Sequence, residues 1–430
     1  MRTARQLRFL FLTLLVAAVL STGSAQAQTY TYSVLYSFAG SPDGTFPTGG
    51  VPDAQGNLYG TTGYGGAYAQ GTVFKLAPNP DGSWSETVLY NFTGAGGAYP
   101  FAGLVLDARG NLYGTTQYGG AYGGSFGTVF ELTPRGDGTY SETVLYTFKG
   151  GTDASNPQSG LVRDAQGNLY GTTPDGGAYG QGTVFKLTPN QDGSWSEAVL
   201  HSFTGGLDGG NPTAVLVLDA QGNLYGNTRN GGADGSGTVF KLTPNQDGSW
   251  SETVLYSFTG GADGESPRGS LLRDAPGNLY GHTKSGGNYG YGTLFKLDTT
   301  DQETVLYSFT GGTDGNWPGN FVRDAQGNLY GTTQYGGAYG EGTVFKLTPN
   351  PDGTWSETVL HSFTGTGGDG VTPDGLVQDA FGNLYGTTGG GGAYGQGTVF
   401  ELQLPPTLTV SIIGTGTVTS TDGFIHCPGT

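Results

Sequence analysis

The sequence predicts an all-β protein: a seven-bladed β-propeller of four-stranded blades, closed by the N-terminal strand completing the last blade. Three observations lead there. The string Gly-Asn-Leu-Tyr-Gly starts at residues 56, 110, 167, 222, 277, 327 and 382, at spacings of 54, 57, 55, 55, 50 and 55 residues, and self-similarity at such a period marks a repeat fold. Each unit holds four short strand-like segments punctuated by turn residues, as one propeller blade does. The array opens on a fourth strand without its first three and closes on a first three without their fourth.

Composition agrees. Gly and Pro fill 84 and 21 of 430 positions, yet 26 Tyr, 22 Phe and 5 Trp supply the large apolar groups that a disordered chain lacks. Charged residues make up only 12%, against a solvated helical bundle, and a net charge of -17 argues against a nucleic-acid partner. A single Cys excludes a disulfide scaffold and a cysteine-based metal site.

In chain order, residues 1–27 read as a signal peptide. Arg2, Arg5 and Arg8 form a basic start, Phe9 to Leu20 an apolar run, and Ala25-Gln26-Ala27 a small-x-small cleavage site. The apolar run is short for a membrane anchor, which needs about 20 residues. No later segment is apolar enough to span a membrane, so the expected mature chain has no membrane span. Removing the leader takes three Arg and no acid, leaving a net charge of -20.

Residues 28–404 are assigned to the propeller, and the third unit shows its plan. Strand A is Gly160 to Asp164, followed by the turn Asp164-Ala165-Gln166-Gly167-Asn168, where Gly167 can take the positive φ of a bulged hairpin. Strand B runs from Asn168 to Thr173, and Gly171 within it implies close approach by a backbone or ring. A Gly-rich loop leads to strand C, Gly182 to Leu187; an Asp-Gly turn then leads to strand D, Glu197 to Phe203. Strands A, C and D carry apolar residues on both alternation faces, which suits a sheet stacked between two others.

The ends complete the plan. Tyr32 to Phe38 reads as a D strand alone, and the last unit stops after strand C at Gln403-Leu404-Pro405-Pro406. Pairing the two hides both edges. The fifth unit has a shortened C–D connection, Leu297 to Glu303. In the first, Pro52 implies a short or irregular strand A.

Residues 405–430 begin a different pattern, with strand-like Thr407–Ile412 and Gly414–Ser420 before Cys427. This tail is similar to the start of a divergent InlB-type B-repeat, and the resemblance implies that Cys427 is half of a disulfide in a truncated module. The other reading is a frayed tail with an incidental thiol. Across roughly residues 33 to 402, the recurring Leu-Tyr-Gly-Thr-Thr and Gly-Thr-Val-Phe-Lys-Leu, as in Leu329–Thr333 with Gly342–Leu347, resemble the bacterial GloVer tandem-repeat (choice-of-anchor) proteins. The resemblance implies an exported, often surface-attached protein and no particular reaction.

No catalytic motif emerges, and neither cofactor nor metal is expected. His201 and His361 take a strand-D slot held by Tyr in other units, His282 replaces a strand-B Thr, and His426 lies in the tail. All four read as packing or surface residues. The D–A loops carry Asp43, Asp153, Asp208, Asp263 and Asp314 in register, with Asp369 displaced by one. One carboxylate per loop is too few for Ca²⁺, so Asx-type turns are expected. The B–C loops, on the same face, carry Tyr68, Tyr122, Tyr179, Tyr289, Tyr339 and Tyr394. These rings either pack over blade edges, the favoured reading, or form a ligand-binding ring that stacks on sugars or protein. The expectation is a monomeric, secreted or cell-surface binding or structural module, possible ligands being glycan or another envelope protein. The rivals are a polysaccharide-active hydrolase or lyase at the channel mouth, whose site should break the sevenfold regularity, and a platform that recruits envelope proteins.

Overall fold

The computed structural model describes residues 30–121 and 125–403, and the backbone of 418–419 and 426–427. The signal peptide and the module boundary after Leu404 lie outside the described residues, as does the Cys427 side chain. In the tail, Val418–Thr419 pairs antiparallel with His426–Cys427.

Residues Tyr30–Leu404 form one compact unit of seven antiparallel blades, each ordered A-B-C-D from the channel outward. The first blade comprises Thr45–Pro52, Leu58–Tyr64, Thr72–Pro78 and Trp84–Asn91. The seventh takes Gly370–Gln378, Leu384–Gly391 and Thr398–Gln403 from the C-terminal end and Thr31–Ser37 from the N-terminal end. Thr31 faces Gln403 and Val34 faces Phe400, with a bulge before Tyr36. The predicted closure is therefore present.

Seven apolar clusters hold the ring, one in each seam between neighbouring blades. In each seam the Phe ending strand D meets the strand-C Phe of the next blade edge-on. Phe148 and Phe185 lie 5.1 Å apart between centroids; Phe38 and Phe74, across the closing seam, lie 5.0 Å apart. The strand-B glycine makes this possible, because a Cβ on Gly171 would stand 2.6 Å from the Phe185 ring. That is the close approach the sequence implied.

The first strand A is irregular but not short: it spans eight residues with a register shift between Thr48 and Val51. Strand A is the inner edge of its sheet, where a proline removes no obligatory ladder donor. The short A strands are those of the next three blades, Val105–Leu106, Val162–Arg163 and Val217–Leu218.

Candidate functional site

The A–B and C–D turns occupy one face of the ring, and the D–A and B–C loops the other. The turn face is occupied by its own hydrogen bonds. Asp164 accepts from Asn168 N (2.8 Å), Asn168 Nδ2 (2.7 Å) and the Tyr170 hydroxyl (3.0 Å). Burial works to raise its pKa, but these donors together hold it below the ordinary value.

The loop face has three concentric parts. In the D–A loops each aspartate caps its own turn: Asp153 accepts from Lys149 N (2.9 Å) and the Tyr146 hydroxyl (3.0 Å). His201 and His361 replace that tyrosine, each placing Nε2 3.3 Å from its aspartate, Asp208 and Asp369. Both are packing residues, as expected. Burial lowers the pKa of His201 despite the opposing effect of Asp208.

The outer part is the B–C loops. Ala178 N, beside Tyr179, donates to Ser202 Oγ at the end of strand D, and Ala393 N, beside Tyr394, donates to Ser37 Oγ, so these loops lie over the outer strands. Tyr68, Tyr179, Tyr289, Tyr339 and Tyr394 are 59–64% exposed and make no ring contact among the described residues. Most of each of these residues therefore faces water. Tyr122 lies outside the described residues.

The inner part is the channel mouth, and it departs from sevenfold regularity. Phe46, Tyr99, Asn156, Asn211, Ser266, Trp317 and Thr372 each precede a proline with φ between +51° and +58°, a strained conformation for such residues. A hydrogen bond to the preceding blade holds each one; Asn211 N, for example, donates to Gln181 O (2.7 Å). The adjoining proline packs on the glycine that opens the preceding blade's strand C. A Cβ on Gly182 would meet Thr173 O at 2.4 Å and Pro212 Cδ at 2.6 Å.

Side chains around this mouth differ between blades where the rest of the unit repeats. On the side of blades 1 and 2 stand Phe46, Tyr64, Tyr99, Phe101 and Tyr118, with Tyr64 5.2 Å from Tyr99 and 5.1 Å from Phe101. On the side of blades 4 to 6 stand Arg229, Arg268, His282, Lys284 and Trp317, beside Asp374 of blade 7. Below the mouth a cavity of about 400 Å³ follows the channel, lined by residues on the inner edge of every blade, among them Thr48, Ala102, Ser159 and Asn320.

Apart from His282, nothing in the repeat motifs signals this second arc. A position-by-position comparison would have exposed it, since the residue after Leu-Tyr-Gly-x-Thr reads Gly63, Gln117, Pro174, Arg229, Lys284, Gln334 and Gly389. Among the described residues no helix is long and apolar enough to cross a membrane, and no three His, Cys, Asp or Glu side chains gather as a metal site would require.

No curated protein matches the chain. Among solved structures it is similar to the extracellular domain of a hybrid two-component system from B. thetaiotaomicron (14% identity, TM-score 0.51, covering 93% of this chain and 46% of that one). It is also similar to the extracellular domain of a one-component system from the same organism (12% identity, TM-score 0.54, covering 87% and 40%). A third likeness is a puromycin-hydrolyzing peptidase of Mycobacterium tuberculosis (12% identity, TM-score 0.51, covering 84% and 53%). The chain spans less than half the length of the first two, and at these identities the likeness concerns the fold. The family model of the Gloeobacter/Verrucomicrobia repeat matches residues 23–164, 124–320 and 216–425. With the repeated unit, the seven blades and these matches in place, the chain belongs to the Gloeobacter/Verrucomicrobia repeat family.

Proposed function

We propose that this protein is an exported binding module, acting at the cell surface or outside the cell, whose loop face recognises glycan or protein. The observation that carries this reading is the rim of tyrosines, five of them 59–64% exposed in the same slot of different blades. Exposed rings with hydroxyl tips suit the faces of sugars, and equivalent weak sites gain avidity on a ligand that repeats along its own length. The extracellular setting of the two B. thetaiotaomicron domains supports export.

The test is a glycan array probed with wild type and with the Tyr179→Ala, Tyr339→Ala, Tyr394→Ala variant. Losing three of several equivalent contacts should weaken apparent binding by about 10-fold or more. Equal signals from both proteins would remove the rim from the account. The mixed polar arc of the channel mouth favours a second reading, a polysaccharide hydrolase or lyase, since a catalytic site breaks repeat symmetry. Release of new sugar ends from a polysaccharide by the purified protein would establish it.

A further inference from the structure

Along the inner seams a rule holds for blades 1 to 4 and fails for blades 5 and 6, while in blade 7 Thr387 Oγ1 turns to Asp374 O of its own blade (3.4 Å). A strand-B side chain reaches across to a carbonyl on the inner edge of the next blade: Thr61 Oγ1 to Ala102 O (3.1 Å), Thr115 Oγ1 to Ser159 O (3.0 Å), Thr172 Oγ1 to Ala214 O (3.0 Å) and Asn227 Nδ2 to Gly269 O (3.0 Å). In blade 5 the slot holds His282, 2% exposed, whose ring makes no hydrogen bond among the described residues and whose Nδ1 is buried without a partner. In blade 6 it holds Thr332, whose Oγ1 is likewise unpartnered. Gly319 adds room by standing where the preceding four blades carry Phe101, Gln158, Thr213 and Arg268.

The opened seam is a vestibule of about 220 Å³ at the head of the channel. Arg229, Arg268 and Lys284 line it with His282, in a protein with twice as many acids as Lys and Arg. None of these cations has a carboxylate within ion-pair distance: the ion pairs among the described residues are those of His201 and His361. Arg229 Nε and Arg268 Nε are buried and donate to nothing. Lys284 Nζ sits 3.6 Å from the centroid of the Trp317 ring, which fixes its position without neutralising it. Asp374 lines the same space and is exposed to the channel, where the surrounding protein raises its pKa.

Buried guanidinium donors without partners are costly unless something completes them. We propose that this vestibule binds an oxyanion group, carboxylate or sulfate, with Arg229, Arg268 and Lys284 as its donors. The source is either a free inorganic anion or an acidic saccharide that carries the group. This site is separate from the tyrosine rim, and failure of the rim experiment leaves it standing.

The test is titration calorimetry on the full protein with inorganic sulfate, an oligogalacturonate and a neutral oligosaccharide of equal length. Wild type should bind at least one anionic probe and not the neutral one, with affinity falling as salt rises. Arg229→Gln and Arg268→Gln should each weaken it about 10-fold or more, whereas Asp374→Asn should strengthen it. Sulfate binding as tight as the oligosaccharide's assigns a free anion; tighter oligosaccharide binding assigns the saccharide. Because both arginine substitutions remove an unneutralised, partly buried charge, the melting temperature without ligand should hold or rise, which separates lost binding from lost folding. Failure of both anionic probes to bind at about 10 mM, or binding undiminished in both arginine variants, would overturn the proposal.

Discussion

Substituting Glu303→Gln should stabilise the protein at pH 8 and leave it nearly unchanged at pH 5. Glu303 stands in the outer strand Glu303–Ser308, half-buried, with Oε1 buried and unpartnered. Burial, followed by the charge of Asp263, pushes its pKa from 4.5 up to about 7. Glu86, Glu197, Glu252 and Glu357 repeat the arrangement beside Asp43, Asp153, Asp208 and Asp314, each pushed up to about 7. A carboxyl whose pKa is raised by folding lends stability that is complete below the unfolded value of 4.5 and lost as pH climbs through 7. A rise from 4.5 to about 7 corresponds to about 3.4 kcal/mol at about 1.36 kcal/mol per pH unit. Solvent screening of a half-exposed side chain reduces this to about 1 kcal/mol per glutamate. The five sites are separate, so together they should remove roughly 4 kcal/mol between pH 5 and pH 8, against an opposing gain from His282 and His201, whose pKa values burial lowers and which therefore favour the folded state as pH rises through 6.5. Urea unfolding followed by tryptophan fluorescence at pH 5, 6, 7 and 8 reads this directly. A Glu303→Gln protein no more stable than wild type at pH 8, or equally more stable at pH 5, would refute the reasoning.

Three other outcomes are expected. Gly171→Ala should destabilise by about 1–3 kcal/mol through overpacking against Phe185, and Phe185→Leu in the same chain should recover part of the loss; denaturant midpoints of the single and double variants check this. Phe38→Ala should cost about 3–5 kcal/mol, as should Phe203→Ala in an internal seam, and a much smaller effect of Phe38→Ala on the unfolding midpoint would mean that the closing seam carries little of the fold. Asp164→Ala strips the acceptor from four donors, Gln166 N among them, and should cost about 2 kcal/mol at pH 7. Since Asp164 has a depressed pKa, that contribution is present above 3.8 and fades as pH falls through the folded value, so the difference between Asp164→Ala and wild type should shrink in acid melts.

The blades could be read from sequence because their determinants are local and repeated. Gly171 announced a close neighbour, Gly167 a bulged turn with φ of +88°, and the orphan strand before Phe38 the closure. Even the acidity was partly legible, for the carboxylates of Asp153 and Asp164 serve their own turns. The exposure of Tyr179 was harder, because it depends on whether a Gly-rich loop folds back over its blade. The mouth was hardest. Arg229, Arg268 and Asp374 lie far apart along the chain, and only the circular arrangement brings blades 4, 5 and 7 to one vestibule. Nor does His282 look different from a packing histidine until its missing seam bond is seen.

The closing ladder also has a mechanical consequence. Because Thr31 faces Gln403, both ends of the ring emerge side by side from the same end of one antiparallel pair. Tension between whatever flanks them would load that ladder one hydrogen bond at a time, as a zipper is opened, rather than shearing all its bonds together. Stretched within a longer chain, the ring should therefore yield first at its seventh blade and at low force, with the other six blades still stacked.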